Sequence, residues 1–440
     1  MTTGDVSVCV SANEISANGV SALKVPGDDS GPDRAPPAVL LRVALVTNIP
    51  APYRLRMFEL LAAEPGIELK LFFCSQREPD REWDLRPLRA LHVYMRERVL
   101  AWRGRFIHAN PDVWPLLGAF RPDVVITTGF NPTHLLAFAF AKLRGARHVA
   151  MTDGTAMSEA KLTFVHRWIR RRIYRRTDAF VGASDGSFAL YRQYGVPKMS
   201  MFKSHLCADN AAFAGVTAIP TVPTVPTVPH PPRDVDFIFC GRFVAGKLPL
   251  FAIEVAAATA QRLGRPVTLL IVGSGELEAR MRIAVDLVSN QVHAHFAGFA
   301  AQAALPGHYA RAKVLLFPTL GDTWGVVANE ACAAGLAVIV SPQAGVAGEL
   351  VRDGVNGRVL PLDADLWAEA ASTLLRDTAT WEQMSRRSRQ LVLPYTEVNA
   401  ALGIARAVRR AAHGVPQDAA QPGPQDTQPG EPSKQGPLTW

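Results

Sequence analysis

This chain of 440 residues lacks several features that would place it in a common protein class. No basic region followed by an apolar stretch opens it, so a secretory signal is not expected. No apolar run approaches the roughly 20 residues that span a bilayer. Its few cysteines show no paired metal-ligand spacing, which favours reduced, mostly buried thiols over a zinc module or a disulfide scaffold; they are Cys9, Cys74, Cys207, Cys240 and Cys332. We expect a cytoplasmic protein that is soluble or peripheral to the membrane.

Proline and glycine concentrate in a few stretches, which divides the chain. The triplet Thr-Val-Pro occurs three times over 221–229, and such a run forms neither a helix nor a sheet interior. Strand-like and helix-like segments alternate on both sides of it, which predicts an α/β protein with two doubly wound domains facing each other across a cleft. The predicted parts are a disordered tail (1–38), a first domain (39–208), a Pro-rich linker (209–234), a second domain (235–393), a C-terminal helix (394–413) and a disordered tail (414–440).

The most informative stretch runs from Val314 to Ser341. Two short apolar runs, Val314–Phe317 and Ala337–Val340, are typical of parallel strands buried on both faces. Helix-forming residues lie between them, and Gly335 occupies the position of a helix C-terminal glycine. The helix N-terminus therefore points into the crevice beyond the strand ends, where backbone N–H groups favour an anion such as a phosphate.

Two carboxylates, Asp322 and Glu330, are eight residues apart in this stretch. The pattern D-x(7)-E, followed by A-C-A-A-G and a strand, resembles the E-x(7)-E signature of the retaining family-four glycosyltransferases, with Asp replacing the first Glu. The resemblance implies the glycosyltransferase-B fold, made of two Rossmann-like domains. It implies that Glu330 binds the nucleotide ribose and that a short segment binds the donor sugar: Asp322, Thr323, Trp324, Gly325 and Val326. The alternative is a turn-forming Asp322 and a solvated helix face at Glu330.

Further motifs match the same family in the same order. FIFCGRFVAGKLP places Arg242 and Lys247 five apart after a strand, where relatives hold the donor diphosphate. Fixed cations there stabilise the charge that a departing nucleoside diphosphate gains in the transition state. A strand, a G-x-G turn and HAHFAGF follow, and the resemblance assigns Gly298 and Phe299 to base contacts. An R-x(4)-K pair alone is usually a pair of surface charges, and no G-x-G-x-x-G fingerprint is completed here.

The first domain departs from the family pattern. IPAPYR stands where many relatives carry a Gly-Gly loop, and some glycosyltransferases of surface-polysaccharide pathways share this variant. The His that many relatives place after the strand within Asp123–Thr128 is missing. His134 lies nearby in the next helix, although a single His there is more often packed or solvent-facing. The acceptor-side candidates are therefore weak; they are Asn48, Tyr53, Arg54, His134 and Asp153.

Positive charge concentrates in the first domain. Residues 41–205 contain 26 Lys and Arg against 14 Asp and Glu, within a net charge of +8 for the chain. The densest run, Arg167–Arg176, predicts a helix with Trp168, Ile169, Ile173 and Tyr174 near one apolar side. This pattern suits anionic lipid headgroups or the diphosphate of a lipid-linked acceptor. A core-facing helix with a solvated Arg face is the alternative. Nucleic acid is disfavoured, because the aromatic residues are too few and too clustered to stack bases.

We expect a retaining hexosyltransferase that transfers a sugar from a nucleotide diphosphate sugar to an acceptor, expected to be a lipid-linked glycan of a surface polysaccharide. Asp322, Arg242 and Lys247 are the candidate catalytic residues. No cofactor or metal is implied, since the two cations and the helix N-terminus suffice for the diphosphate. Two alternatives are a catalytically silent sugar-nucleotide-binding or scaffold protein and a basic nucleic-acid-binding protein, which would bind with steep salt dependence.

Overall fold

The computed structural model describes residues 40–77, 87–102, 105–160, 162–215 and 233–414. Two parallel β-sheets, each flanked by helices, account for most of this part of the chain. The predicted tails, apart from Gly414, and most of the predicted linker lie outside the described residues, as does Cys9. The linker prediction also covered a short helix, Asn210–Phe213, whose Phe213 is buried.

The N-terminal domain contains a seven-stranded sheet in the order β3-β2-β1-β6-β7-β8-β9 and a small antiparallel pair, β4-β5. Its strands are β1 (Leu41–Thr47), β2 (Ile67–Phe73), β3 (His92–Tyr94), β4 (Val99–Trp102), β5 (Arg105–His108), β6 (Val124–Thr127), β7 (Arg147–Thr152), β8 (Ala179–Gly182) and β9 (Met201–Lys203). Its helices are α1 (Pro52–Ala62), α2 (Val113–Phe120), α3 (Pro132–Arg144), α4 (Phe164–Tyr174), α5 (Asp185–Gln193) and α6 (Asn210–Phe213).

The C-terminal domain contains a six-stranded parallel sheet in the order β12-β11-β10-β13-β14-β15. Its strands are β10 (Val235–Cys240), β11 (Val267–Val272), β12 (Val292–Gly298), β13 (Ala312–Phe317), β14 (Ala337–Val340) and β15 (Gly357–Val359). Its helices are α7 (Pro249–Leu263), α8 (Glu278–Leu287), α9 (Leu305–Arg311), α10 (Val326–Ala334), α11 (Ala364–Arg376), α12 (Thr378–Val392) and α13 (Glu397–His413).

The central strands are buried on both faces because helices cover each sheet on two sides. Every residue of β6, β8 and β14 is buried, which explains their continuous apolar sequences. All neighbouring strands in the two large sheets run parallel. The loops after their carboxyl ends therefore meet at one edge of each sheet, which is where ligands bind in open α/β sheets.

The chain from Leu391 to Ala412, which includes most of the predicted C-terminal helix (394–413), is not one continuous helix. It is divided between α12 and α13, and Pro394 lies in the break, as the missing N–H and fixed φ of proline favour. α13 then packs on the N-terminal domain, where Ile404, Ala405 and Val408 join the core formed by β1, β2 and α1.

A shared hydrophobic core joins the two domains. It contains Leu206 and Phe213, which follow the N-terminal sheet, together with Trp324, Val346 and Tyr395 from later in the chain. Among the described residues, no helix is long and apolar enough to cross a bilayer.

Candidate functional site

Two loops of the C-terminal domain meet at the carboxyl ends of β10 and β13. The loop after β13 donates to the carbonyl oxygen of Gly246 twice, from Leu320 N (2.9 Å) and from the Thr319 hydroxyl (3.1 Å). These bonds hold Lys247 beside Asp322, and the Lys247 ammonium donates to the Asp322 carboxylate. The two side chains are 25% and 21% exposed, so the pair borders solvent and a ligand can reach it.

Asp322 is fixed by its own turn as well as by Lys247. Its Oδ1 accepts a hydrogen bond from the backbone N–H of Trp324 at 3.2 Å, and its carbonyl accepts from Gly345 N at 2.9 Å. Gly325 follows with a φ of 107°, and a Cβ there would lie 2.3 Å from the Phe317 ring. Only glycine fits this position. Helix α10 therefore begins at Val326, with its N-terminus at the same crevice.

The side chain of Trp324 does not lie in the crevice. It is fully buried, its Nε1 donates to Asn329 at 2.7 Å, and its ring stacks on Tyr395 with centroids 5.5 Å apart. The Asn329 amide in turn donates to the Leu206 carbonyl at 3.3 Å. The side chain of Trp324 thus belongs to the shared core between the domains, and only its backbone belongs to the turn that carries Asp322.

Glu330 is 5% exposed, so it is not a solvated helix face. It is the fifth residue of α10, and its Oε2 accepts a hydrogen bond from the Tyr309 hydroxyl at 2.7 Å. Burial raises the pKa of the carboxyl from 4.5 to about 7, although hydrogen bonds from Tyr309 and Gln302 favour the ionised form. Cys240, at the end of β10, lies close enough for Glu330 to raise its thiol pKa as well, although burial is the larger cause. The carboxyl therefore lies beneath the crevice at the carboxyl ends of β10 and β13.

The remaining donor-side candidates surround the same edge. Arg242 is exposed two residues after β10. Gly298 ends β12 with a φ of 70°, and its carbonyl accepts from Gly273 N at 2.8 Å. Phe299 is 48% exposed and presents its ring to solvent. Val326 and Thr323 are half-buried at the start of α10 and in the turn before it.

A second crevice, of about 210 Å³, lies at the carboxyl edge of the N-terminal sheet. Arg54 and Asp153 form an ion pair across it at 2.5 Å, and Asn48 accepts from the Asn131 amide at 3.2 Å. Burial opposes the charge on Arg54 and is the largest single cause, but Asp153, Tyr53 and Cys207 together leave the pKa of Arg54 raised. Tyr53 lines the crevice and also packs on the shared core.

The structure places His134 in the interior, behind the crevice residue Thr128, and His134 itself does not line the crevice. It is 1% exposed and lines a cavity of only about 10 Å³ with Phe130 and Phe138. Burial lowers its pKa to about 4, so the imidazole is neutral near pH 7. Its Nε2 lies 3.4 Å from the Thr128 hydroxyl. These contacts correspond to the packed alternative for His134.

The threonines of this crevice and the partners of Glu330 were not predicted from the sequence. Thr47, Thr128 and Thr152 line the crevice at or just after the ends of three neighbouring strands. Their position at strand ends is a signal that could have identified them. Tyr309 could not be found this way, because its hydroxyl reaches Glu330 only through the packing of α9 on α10.

The basic helix divides its residues differently from the prediction. Ile173 and Tyr174 are buried, whereas Trp168 is 57% exposed. Arg170 is not a surface cation, because it pairs with Glu159 at 2.8 Å and its side chain is 11% exposed. The outer face of α4, which we call the α4 face, consists of exposed apolar and basic side chains: Phe164, Val165, Trp168, Arg171, Arg172 and Arg175.

Two family models match successive parts of the chain. Residues 25–201 match the glycosyl transferase 4-like domain, and residues 226–391 match glycosyl transferases group 1. A D-inositol 3-phosphate glycosyltransferase of Salinispora arenicola is 31% identical over 169 residues. That match covers 36% of this chain and 38% of the relative, little more than a third of either protein.

Solved structures of other proteins have the same architecture. Anabaena HepE in complex with UDP and glucose aligns with a TM-score of 0.62 and 15% identity, covering 84% of this chain and 99% of that one. WaaG, a glycosyltransferase involved in lipopolysaccharide biosynthesis, aligns with a TM-score of 0.59 and 17% identity, covering 84% and 100%. The predicted fold class, two Rossmann-like domains in the glycosyltransferase-B arrangement, is confirmed.

Proposed function

From the glycosyltransferase-B fold and the match of both domains to glycosyltransferase family models, we propose that this chain transfers a sugar from a nucleotide diphosphate sugar to an acceptor, with retention of configuration. The observation that carries the proposal is the Lys247–Asp322 pair at the N-terminus of α10. A cation, a carboxylate and a helix N-terminus converge there, which is the chemistry that a diphosphate and a sugar hydroxyl require.

In this proposal the residues have distinct roles. Lys247 and Arg242 stabilise the negative charge that develops on the departing diphosphate, and α10 adds its positive dipole end. Asp322 accepts hydroxyl hydrogen bonds from the donor sugar, and Glu330 accepts from the ribose. No cofactor or metal takes part. Two proteins of similar fold support this proposal: HepE was solved with UDP and glucose, and WaaG takes part in lipopolysaccharide biosynthesis.

We further propose that the acceptor binds in the N-terminal crevice. We propose that this acceptor is a lipid-linked glycan at the inner face of the membrane. The α4 face supports this part of the proposal, because it combines exposed aromatic rings with arginines that lack a carboxylate partner among the described residues. Aromatic side chains favour the headgroup region, and each surface cation adds about 1 kcal/mol of attraction to anionic lipid.

The test is a panel of nucleotide sugars, first by thermal shift and then by transfer assay with and without EDTA. Binding at a hundred times Kd adds about 2.7 kcal/mol of stability and identifies the donor. Lys247→Ala and Arg242→Ala should each lower affinity or kcat/KM by roughly one to two decades, since a charge-assisted hydrogen bond contributes about 1.5–3 kcal/mol.

Arg387→Ala is the matched control, because Arg387 is exposed on α12 and bonds only to Gln390 among the described residues. Unchanged kinetics in both donor-site variants would remove their assignment. Nucleotide-sugar binding without hydrolysis or transfer to any acceptor would favour the catalytically silent binding protein instead.

A further inference from the structure

A cavity of about 410 Å³ lies at the end of the C-terminal domain opposite the donor loops. Arg233, just before β10, and Lys313, the second residue of β13, line it, whereas the proposed donor-binding side chains follow the other ends of these strands. Helix α12 closes one side. We call this cavity the basal pocket, and no residue proposed for the donor or acceptor lines it.

The charges of the basal pocket are unevenly matched. It is lined by four cations and one carboxylate. Lys313 reaches Asp236 at 3.3 Å, and Arg386 lies 3.7 Å from Glu382. Arg233 and Arg389 form no ion pair with a carboxylate of the described part of the chain, although both are partly buried.

These two guanidinium groups converge on one backbone oxygen. The carbonyl of Ala334, the last residue of α10, accepts from Arg233 Nη2 at 2.6 Å and from Arg389 Nη2 at 3.0 Å. Arg233 also donates to the carbonyls of Tyr309 (3.2 Å) and Ala312. Their shared target fixes both guanidinium planes at the wall of the pocket.

The C-terminus of α10 carries only about half a negative charge, so one arginine is enough to neutralise it. Helix capping therefore does not account for a second positive charge at the same carbonyl. Two cations at the same carbonyl repel each other. Burial, and then the neighbouring Arg389, lower the pKa of Arg233 to about 10, and burial lowers that of Arg389. The pocket thus carries positive charge that an anion would neutralise.

We propose that the basal pocket is a second ligand site, which binds a phosphomonoester through Arg233 and Arg389 and packs its organic part on Trp381, Leu374 and Leu375. Guanidinium groups offer paired donors that match phosphate oxygens, and two of them can grip one dianion. Trp381 is held with its Nε1 donating to the Lys313 carbonyl at 3.0 Å, so the ring forms a fixed apolar wall.

The probe is phenyl phosphate, with inorganic phosphate for comparison, titrated by calorimetry into the full chain. The protein carries Arg242→Ala and Lys247→Ala, which remove the proposed diphosphate site. One phenyl phosphate should bind, more tightly than inorganic phosphate. Arg389→Gln should weaken phenyl phosphate roughly tenfold to a hundredfold, as loss of a charge-assisted hydrogen bond predicts. Arg387→Gln, on the same helix but outside the pocket, should leave it unchanged.

Two further variants keep the test decisive if Arg389→Gln does not fold. Arg389→Lys should weaken phenyl phosphate binding, because the paired donors of the guanidinium are lost. The factor should be smaller than for Arg389→Gln, because Lys retains the positive charge and a donor for the Ala334 carbonyl. Trp381→Leu should weaken phenyl phosphate while sparing inorganic phosphate. The proposal would be overturned if phenyl phosphate did not bind to the protein with its basal pocket intact. It would also be overturned if the Arg389 variants bound phenyl phosphate as tightly as that protein does.

Discussion

Glu330 is an acid in a helix whose residues from Ala328 to Ala334 are all buried. Its pKa is raised by burial from 4.5 to about 7, so between these pH values the folded protein holds the proton more tightly than the unfolded chain does. The free energy of unfolding should therefore fall as pH rises from about 4.5 to about 7. One pKa unit corresponds to about 1.36 kcal/mol, so the full effect is at most about 3 kcal/mol.

Glu330→Gln tests this dependence by urea unfolding at several pH values. The difference between wild type and variant should change across that window and level off above pH 7. The comparison isolates Glu330 from His134, His148 and His205, whose pKa values are lowered mainly by burial and which therefore add stability as pH rises. A difference that is constant with pH would mean that the Glu330 carboxyl has the same pKa in the folded and the unfolded protein. Glu330→Gln should also weaken nucleoside diphosphate binding, because the charged ribose acceptor is lost.

At the scale of one element, α4 buries Ile173 and Tyr174 and presents the α4 face outward. Replacing Arg171, Arg172 and Arg175 by Gln should reduce sedimentation with anionic liposomes. The loss should be greater at low salt than at high salt, because the attraction is screened within about 8–10 Å. Arg170 is left intact, since removing it would leave the Glu159 carboxylate buried without its partner.

A control triple variant changes Arg56, Arg144 and Lys198 to Gln, which alters net charge equally at exposed positions outside α4. It should bind liposomes as wild type does. Equal binding by all three proteins at every salt concentration would contradict the membrane assignment. Loss of transfer to a soluble acceptor, with liposome binding intact, would instead place these arginines in the acceptor site.

At the scale of the whole molecule, a polar contact joins the domains beside their shared core. Lys203, at the end of β9, donates to Glu349 at 2.8 Å and also to Asp185. The backbone N–H of Asp185 donates to Glu349 at 2.7 Å. Glu349 thus accepts hydrogen bonds from two residues of the N-terminal domain, Asp185 and Lys203, and its side chain is only 9% exposed.

Glu349→Ala should lower the free energy that holds the two domains together by about 1.5–3 kcal/mol, which is the contribution of a hydrogen bond to a charged group. We expect a larger radius of gyration by small-angle scattering and slower transfer, with nucleotide affinity unchanged because one domain holds the nucleotide. Asp185→Ala removes a carboxylate that is 69% exposed and should have a smaller effect. Identical scattering for Glu349→Ala and wild type would show that the core alone fixes the arrangement.

The alternation of strands and helices, the bounds of β14 and the turn that carries Asp322 could all be predicted from the sequence. Hydrophobic period and glycine position are local properties, and parallel strands bring the loops after their carboxyl ends to one edge. Which charged groups are buried, and which residues they contact, depends on the tertiary structure and could not be predicted from the sequence. Arg54 meets Asp153 across 99 positions, and Trp324 packs on Tyr395 rather than facing the crevice. Such contacts depend on how elements that are distant in sequence pack against each other. The hydrophobic periodicity of a single segment does not indicate which other segments pack against it.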